Sequence, residues 1–381
     1  MIRREVSKIT CIVDVRLTAR IEAEADRMGL LETFSERGKQ IALQVRPFWQ
    51  PLGRHYLMME APADILRLYV PRQHERAAMA RLATATDLFL PGRGSVFAED
   101  VQLAGKEHRL WDETRLAKAP AWAADGHLPP APYDLVFCIV QRGRGSELAR
   151  TMLEMGLGVP IVSYGEGMGM RDRLGLLRIT IPQEKEILWF LVPPGDSDFV
   201  MDVAMRKADL HEPGSGFLGR TAVRALAVNS RLHLDRRRHV ASMEQIISTL
   251  DQLHGSTNWR RMTPAARSRP GADDRGDNGM TRFTLMCEEG AAAGPVRAAM
   301  DAGAGGATLS RLSLRAPETP GVEPEAEDEE VAMESHAREC CDLFIPQRLV
   351  KQIEDAVVPS GLFDEPAAGF IEIGTLRDSR A

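Results

Sequence analysis

Residues 187–217 open with Ile187-Leu-Trp-Phe-Leu-Val-Pro193 and close with Asp209-Leu-His-Glu-Pro-Gly-Ser-Gly-Phe217. An apolar strand ending in proline is followed, twenty residues later, by a second proline that opens a glycine turn. The same spacing occurs twice more in the chain. Leu68-Tyr-Val-Pro71 leads to Pro91, and Leu343-Phe-Ile-Pro346 leads to Pro366. Each second proline has Leu or Phe three residues before it (Leu88, Leu210, Phe363) and Gly three residues after it (Gly94, Gly216, Gly369). Upstream, each copy carries an amphipathic run that ends in glycine: Asp26-Arg-Met-Gly29, Glu154-Met-Gly156 and Asp301-Ala-Gly303. Glycine is the usual helix terminator because it enters the left-handed backbone region without a Cβ penalty. Together these spacings read as a threefold internal repeat.

Working outward, the first copy starts with the β-rich Lys8-Ile-Thr-Cys-Ile-Val13. Leu17, Ile21, Ala25 and Met28 follow at helical spacing. A polar strand over 32–45, a strand over 65–70, a helix over 72–82 and the turn at Pro91 complete the order β-α-β-β-α-β. That order predicts an α+β fold of three tandem ferredoxin-like domains. The domains are expected at 1–104, 133–228 and 281–381. Residues 105–132, with Pro120, Pro129, Pro130 and Pro132, read as a linker. A second linker over 229–280 contains an amphipathic helix over 242–254, opened by the capping box Ser242-Met-Glu-Gln245. The segments that differ most between copies follow the second strand: a ribbon at Leu174 to Ile181, and an acidic, proline-rich run at Glu318 to Glu330.

Bulk properties narrow the function. The chain has 381 residues, 44% of them hydrophobic, enough for sizeable cores. Its net charge of −6 gives no general electrostatic reason to bind nucleic acid. Basic residues at Arg236-Arg-Arg238 and Arg260-Arg261 read as solvated helix flanks, without the aromatic ladder of a nucleic-acid site. No run approaches the length of about twenty apolar residues that crosses a bilayer, and Met1-Ile-Arg-Arg-Glu lacks the apolar core of a signal peptide. A cytoplasmic protein, not embedded in a membrane, is therefore expected. The five cysteines lack metal-ligand spacing and read as buried strand residues. Catalysis is not expected, because the chain has no Gly-x-Ser-x-Gly elbow, His-Glu-x-x-His helix or Walker loop. Glu184-Lys-Glu186 reads as a solvated turn into a strand.

The element order, the helix end Ala302-Gly-Ala-Gly-Gly-Ala-Thr308, the glycine-rich entry Tyr164 to Gly169 and the turn Pro213-Gly-Ser-Gly216 resemble the PII signal-transduction proteins and their PII-like relatives. The resemblance covers nearly all of the middle copy and, more faintly, the outer two. It implies a covalent pseudo-trimer within one chain, open to further oligomerisation, with no covalently bound cofactor. It further implies that AMP, ADP, ATP or another small anion binds in inter-domain clefts and controls a protein target such as a membrane transporter or an enzyme, as in nitrogen regulation. Successive glycines can expose N–H groups to phosphate oxygens. The expected ligand-binding residues are Gly165, Gly167, Gly169, Arg171 and Arg173 at the loop base, Gly214, Ser215, Gly216 and Arg224 at the later turn, and Gly92, Arg93 and Gly94 in the first copy. Where the family has a lysine after the turn, this chain has Phe217, Ser95 and Phe370, which turns the expectation away from the family's usual ATP contact. Two alternatives stand beside this reading: a scaffold of degenerate repeats without ligand, and a metal-binding, trimer-like protein similar to the copper-tolerance relatives that share the fold.

Overall fold

Along the first strand, side chains alternate between two environments. Ile9, Cys11 and Val13 pack with Ile21, Ala25 and Met28 of the following helix. Between them, Lys8 reaches Glu99 and Glu372, and Ile12 joins a cluster with Phe97, Phe137 and Trp189. This period of two is what a strand covered on both faces requires.

The computed structural model describes residues 1–45, 56–90, 92–106, 110–118, 130–155, 159–168, 184–211, 214–229, 279–317 and 333–380. The first third of the chain runs β1 (Ile2–Asp14), α1 (Thr18–Met28), β2 (Thr33–Val45), β3 (Tyr56–Val70), α2 (Glu75–Ala85) and β4 (Gly94–Gly105). A short helix, α3 (Glu113–Lys118), follows. The second third runs β5 (Ala131–Gln141), α4 (Gly145–Glu154), β6 (Ile161–Met168), β7 (Glu184–Val192), α5 (Ser197–Lys207) and β8 (Gly216–Ala227). The last runs β9 (Met280–Glu288), α6 (Ala293–Asp301), β10 (Ala307–Pro317), β11 (Met333–Pro346), α7 (Val350–Val357), β12 (Phe370–Thr375) and β13 (Asp378–Arg380). The linker helix expected at 242–254, the ribbon at 174–181 and the acidic run at 318–330 lie outside the described residues.

The expectation of three tandem ferredoxin-like domains, and with it the pseudo-trimer, is overturned by the sheet. All thirteen strands among the described residues belong to one antiparallel sheet, which closes into a ten-strand barrel. Its order is β10-β11-β9-β12-β4-β1-β3-β2-β6-β7-β5-β8-β13, with further pairings β10–β2, β10–β6 and β4–β8. Strands from different thirds therefore share main-chain hydrogen bonds, as in Phe370↔Gly105 and Gly38↔Ser163. The physical reason is edge satisfaction. A separate four-stranded sheet leaves two rows of unpaired N–H and C=O groups, and closure removes them. Local periodicity carries no information about which distant edge a strand will join.

Helices cover the outer face in three apolar clusters, one for each third of the chain. The interior has two halves. One is apolar, with Phe217 and Phe344 stacked at a ring-centroid distance of 4.1 Å beside Phe137 and Trp189. The other is ionic. Lys8 Nζ lies 2.7 Å from Glu99 and 2.5 Å from Glu372, while Arg282 Nη2 lies 2.7 Å and 3.1 Å from the same two carboxylates. Tyr69 donates its hydroxyl to Glu372 Oε2 at 2.6 Å. Two cations and two carboxylates thus neutralise one another out of water.

The repeated glycines have a shared steric cause. A Cβ at Gly94 would lie 2.2 Å from the Ile12 carbonyl oxygen, at Gly216 2.0 Å from that of Ile139, and at Gly369 2.3 Å from that of Met286. Each lets its strand approach the first strand of its own third. A second recurrence is absent from the sequence reading. Asp64, Glu186 and Glu339 each stand seven residues before the strand-ending prolines Pro71, Pro193 and Pro346. Each sits at the start of the first helix of its third. Glu186 accepts from the Gly143 and Gly145 N–H groups at 3.1 and 2.7 Å, Glu339 accepts from Ala292 at 3.1 Å, and Asp64 accepts from the Thr18 hydroxyl. Glu186 was expected in a solvated turn; it is buried because free N–H donors at a helix start attract a carboxylate.

Candidate functional site

The glycines expected to cradle phosphate do not converge. Gly165 and Gly167 are extended strand residues of β6, and a Cβ at Gly165 would lie 2.9 Å from Thr308 Cγ2 and 3.0 Å from the Leu309 carbonyl. The role of Gly165 is thus the close approach of β10. Gly169, Arg171 and Arg173 lie outside the described residues. Gly216 pairs with Val140, Gln141 with Lys185, and Lys185 with Gly165. The two glycine runs therefore stand three strand spacings apart, about 14 Å, too far to line one phosphate nest. Gly214 is left-handed at φ 79°, and Ser215 leads from it into β8. Gly92, exposed Arg93 and Gly94 form the corresponding turn into β4, whose Gly94 pairs with Val13. Arg224 is engaged elsewhere. Its Nε and Nη2 donate to Glu75 at 2.7 and 2.6 Å, and its Nη1 and Nη2 donate to Asp100 at 3.1 and 2.8 Å. These two carboxylates tie α2 to the β4–β8 seam.

A different constellation forms a concave site. Helices α1 and α2 flank a solvent-open groove of about 530 Å³, lined by Ala19, Arg20, Ala23, Glu24, Arg27, Arg81, Thr84 and Ala85. The opposite face of α1 buries Ile21, Ala25 and Met28, so Arg20, Ala23, Glu24 and Arg27 fall together on the outer face at helical spacing. Glu24 is only 8% exposed and sits between two guanidinium groups. Arg27 Nη1 donates to it at 2.7 Å and Arg81 Nε at 2.6 Å. Arg81 Nη1 is buried without a hydrogen-bond partner. Arg20 has one long contact, 3.9 Å to Asp87, and its side chain is 58% exposed; that of Arg27 is 67% exposed. Three arginines against Glu24 and the more distant Asp87 leave a net positive groove on a chain whose net charge is −6.

The internal repeat supplies a control for this site. Counted from Gly29, Gly156 and Gly303, the position of Glu24 is Thr151 in the second copy and Ala298 in the third; that of Arg27 is Glu154 and Asp301. Arg20 corresponds to Glu147 and Gly294. Counted from the strand-ending prolines, Arg81 corresponds to Val203 and Ala356. Helix pairs of equivalent placement are thus built without this constellation, so packing does not demand it. The sequence reading followed the apolar stripe of α1 and passed over its polar face. The signal was there in the arginines alone, and their partnership with Arg81 needed the fold.

Other chemistry is sparse among the described residues. All five cysteines are free and buried, and burial pushes the Cys11 and Cys138 thiols up to about 12, which leaves them protonated and unreactive at neutral pH. No group of three or more His, Cys, Asp or Glu side chains among the described residues is placed to hold a metal ion. No helix among them is long and apolar enough to cross a membrane. Comparison with protein-family models, with curated proteins and with solved structures finds no match to this chain. The expectations of PII-like membership and of nitrogen regulation therefore have no family match behind them, and the barrel replaces the architecture on which they rested.

Proposed function

We propose that this protein is a non-catalytic binding module that regulates by occupancy, taking an anionic ligand in the groove between α1 and α2. The observation that carries the reading is the gathering of Arg20, Arg27 and Arg81 around Glu24 in that groove, a constellation present in the first copy alone. Arg20 and Arg27 extend the cationic surface along two turns of helix. Ligand binding changes function only insofar as it favours one conformation or one partner over another. Five free, buried cysteines support a reducing, cytoplasmic setting.

The test is a titration of the purified protein with pyrophosphate, AMP, ADP, ATP and poly-L-glutamate, by calorimetry and thermal shift at low salt. At least one of these anions stabilises the protein, and the Arg20→Glu/Arg27→Glu variant loses the effect while keeping its circular dichroism spectrum. A stabilising anion whose effect survives the double reversal would move the site elsewhere; no stabilisation by any of them would remove the proposal. A scaffold without ligand is the second reading, favoured by the internally neutralised ionic half of the barrel.

A further inference from the structure

We infer that the occupant of the α1/α2 groove is an acidic amphipathic helix of a partner protein, an inference that rests on the groove reading above. Shape is the first observation. A small ligand gains affinity by having most of its surface enclosed, and this groove is open to solvent along its length. Half of its lining is small, Ala19, Ala23, Thr84 and Ala85, and Glu24 is its buried member. Side chains this small let a third helix lie at the ordinary interaxial distance of about 8–10 Å.

Charge is the second observation, and it is spaced for a helix. Arg20 and Arg27 are seven residues apart on one face of α1, a separation of about 10.5 Å along the axis. Acidic residues at i and i+7 of an opposing helix present carboxylates at that same interval. Arg81 lies across the groove on α2 and adds a third positive charge to the field met by an acidic group at i+3 or i+4 of the opposing helix. Glu24, already held by two arginines, repels any carboxylate that enters out of register. The apolar face of the incoming helix rests on the small side chains of the lining. Recognition of this kind combines an amphipathic helix in a groove with charge complementarity that sets orientation and register.

The test uses the full chain and a capped, alanine-based helical peptide of about 16 residues with Glu at positions i, i+4 and i+7, labelled for fluorescence anisotropy. A peptide of the same length with Lys at those positions is the control. The Glu peptide binds, and the Lys peptide does not. Arg20→Glu/Arg27→Glu weakens binding by at least roughly tenfold, equivalent to one lost charge-assisted contact. Ala23→Trp, which fills the groove but leaves every arginine, abolishes peptide binding. If pyrophosphate or ATP binds through the arginines and the Glu peptide does not, the helical partner is overturned and the anion groove stands. If neither binds, both fall. If the peptide binds the double reversal as tightly as the wild type, its site is elsewhere and the inference is overturned. Thermal melts of each variant confirm that the fold is retained.

Discussion

Replacing Lys8 by Met breaks the ionic half of the barrel in a calculable way. Lys8 and Arg282 together face Glu99 and Glu372, and all four side chains are at most 5% exposed. Without Lys8, two buried carboxylates share one guanidinium, and one negative charge is left uncompensated. Breaking a buried pair from one side costs about 3–5 kcal/mol, a large fraction of the roughly 5–15 kcal/mol available to a folded domain. The double variant Lys8→Met/Glu99→Leu restores neutrality, because Arg282 then pairs with Glu372, which keeps the Tyr69 hydroxyl as a donor. Its cost falls below that of Lys8→Met alone by about 2 kcal/mol, since removing both partners is far less damaging than removing one. Urea denaturation followed by tryptophan fluorescence measures the three variants against the wild type. Additive costs, or a Lys8→Met variant within about 1 kcal/mol of the wild type, would refute the neutral-cluster account.

Acid stability depends on the same cluster. Burial raises the Glu99 carboxyl, but the Arg282 and Lys8 charges outweigh it and hold it down to about 2, against 4.5 for the ordinary group. A lowered folded-state value adds stability above pH 4.5, and that stability is lost as the pH falls toward 2; Lys8→Met/Glu99→Leu shows a shallower loss over the same window in pH-dependent urea titrations. At the turn into β8, Gly216→Ala drives a Cβ into the Ile139 carbonyl and costs more than about 2 kcal/mol. At the equivalent turn into β4, the open, left-handed Gly92 tolerates Ala for about 1 kcal/mol, so equal costs would contradict the steric assignment. All five thiols react slowly with an aromatic disulfide reagent at pH 8 and rapidly in 6 M guanidinium, roughly the concentration that unfolds even very stable domains; a fast native thiol would place a cysteine at the surface.

The sequence carried the local devices of this fold and not their assembly. The glycine at 94, 216 and 369 was legible because close approach of backbone leaves only one residue type, and the spacing from a proline repeats. The amphipathic period of α1 was legible because burial on one face leaves a stripe. Closure of the sheet was not, since pairings such as Phe370↔Gly105 join residues more than two hundred and fifty positions apart and leave no periodic trace. The glycine-rich Tyr164 to Gly169 illustrates a further ambiguity. Glycine next to glycine exposes N–H groups to a ligand, and equally admits a neighbouring strand. At Gly165 the neighbour is β10. The arginine groove was missed because its members lie on two helices separated by β2 and β3, and charged residues on a helix face ordinarily meet only water.

Chemical-shift mapping of the backbone amides and the arginine Nε–H groups, with the Glu peptide and pyrophosphate as separate titrants, tests the central claim most directly. The account predicts that shifts concentrate at Ala19–Arg27 and at Arg81–Ala85, with the Nε–H signals of Arg27 and Arg81 moving and that of Arg224 fixed by Glu75 and Asp100. Shifts centred instead on Gly165, Gly167 and Gly214 to Gly216, with the groove silent, would contradict it.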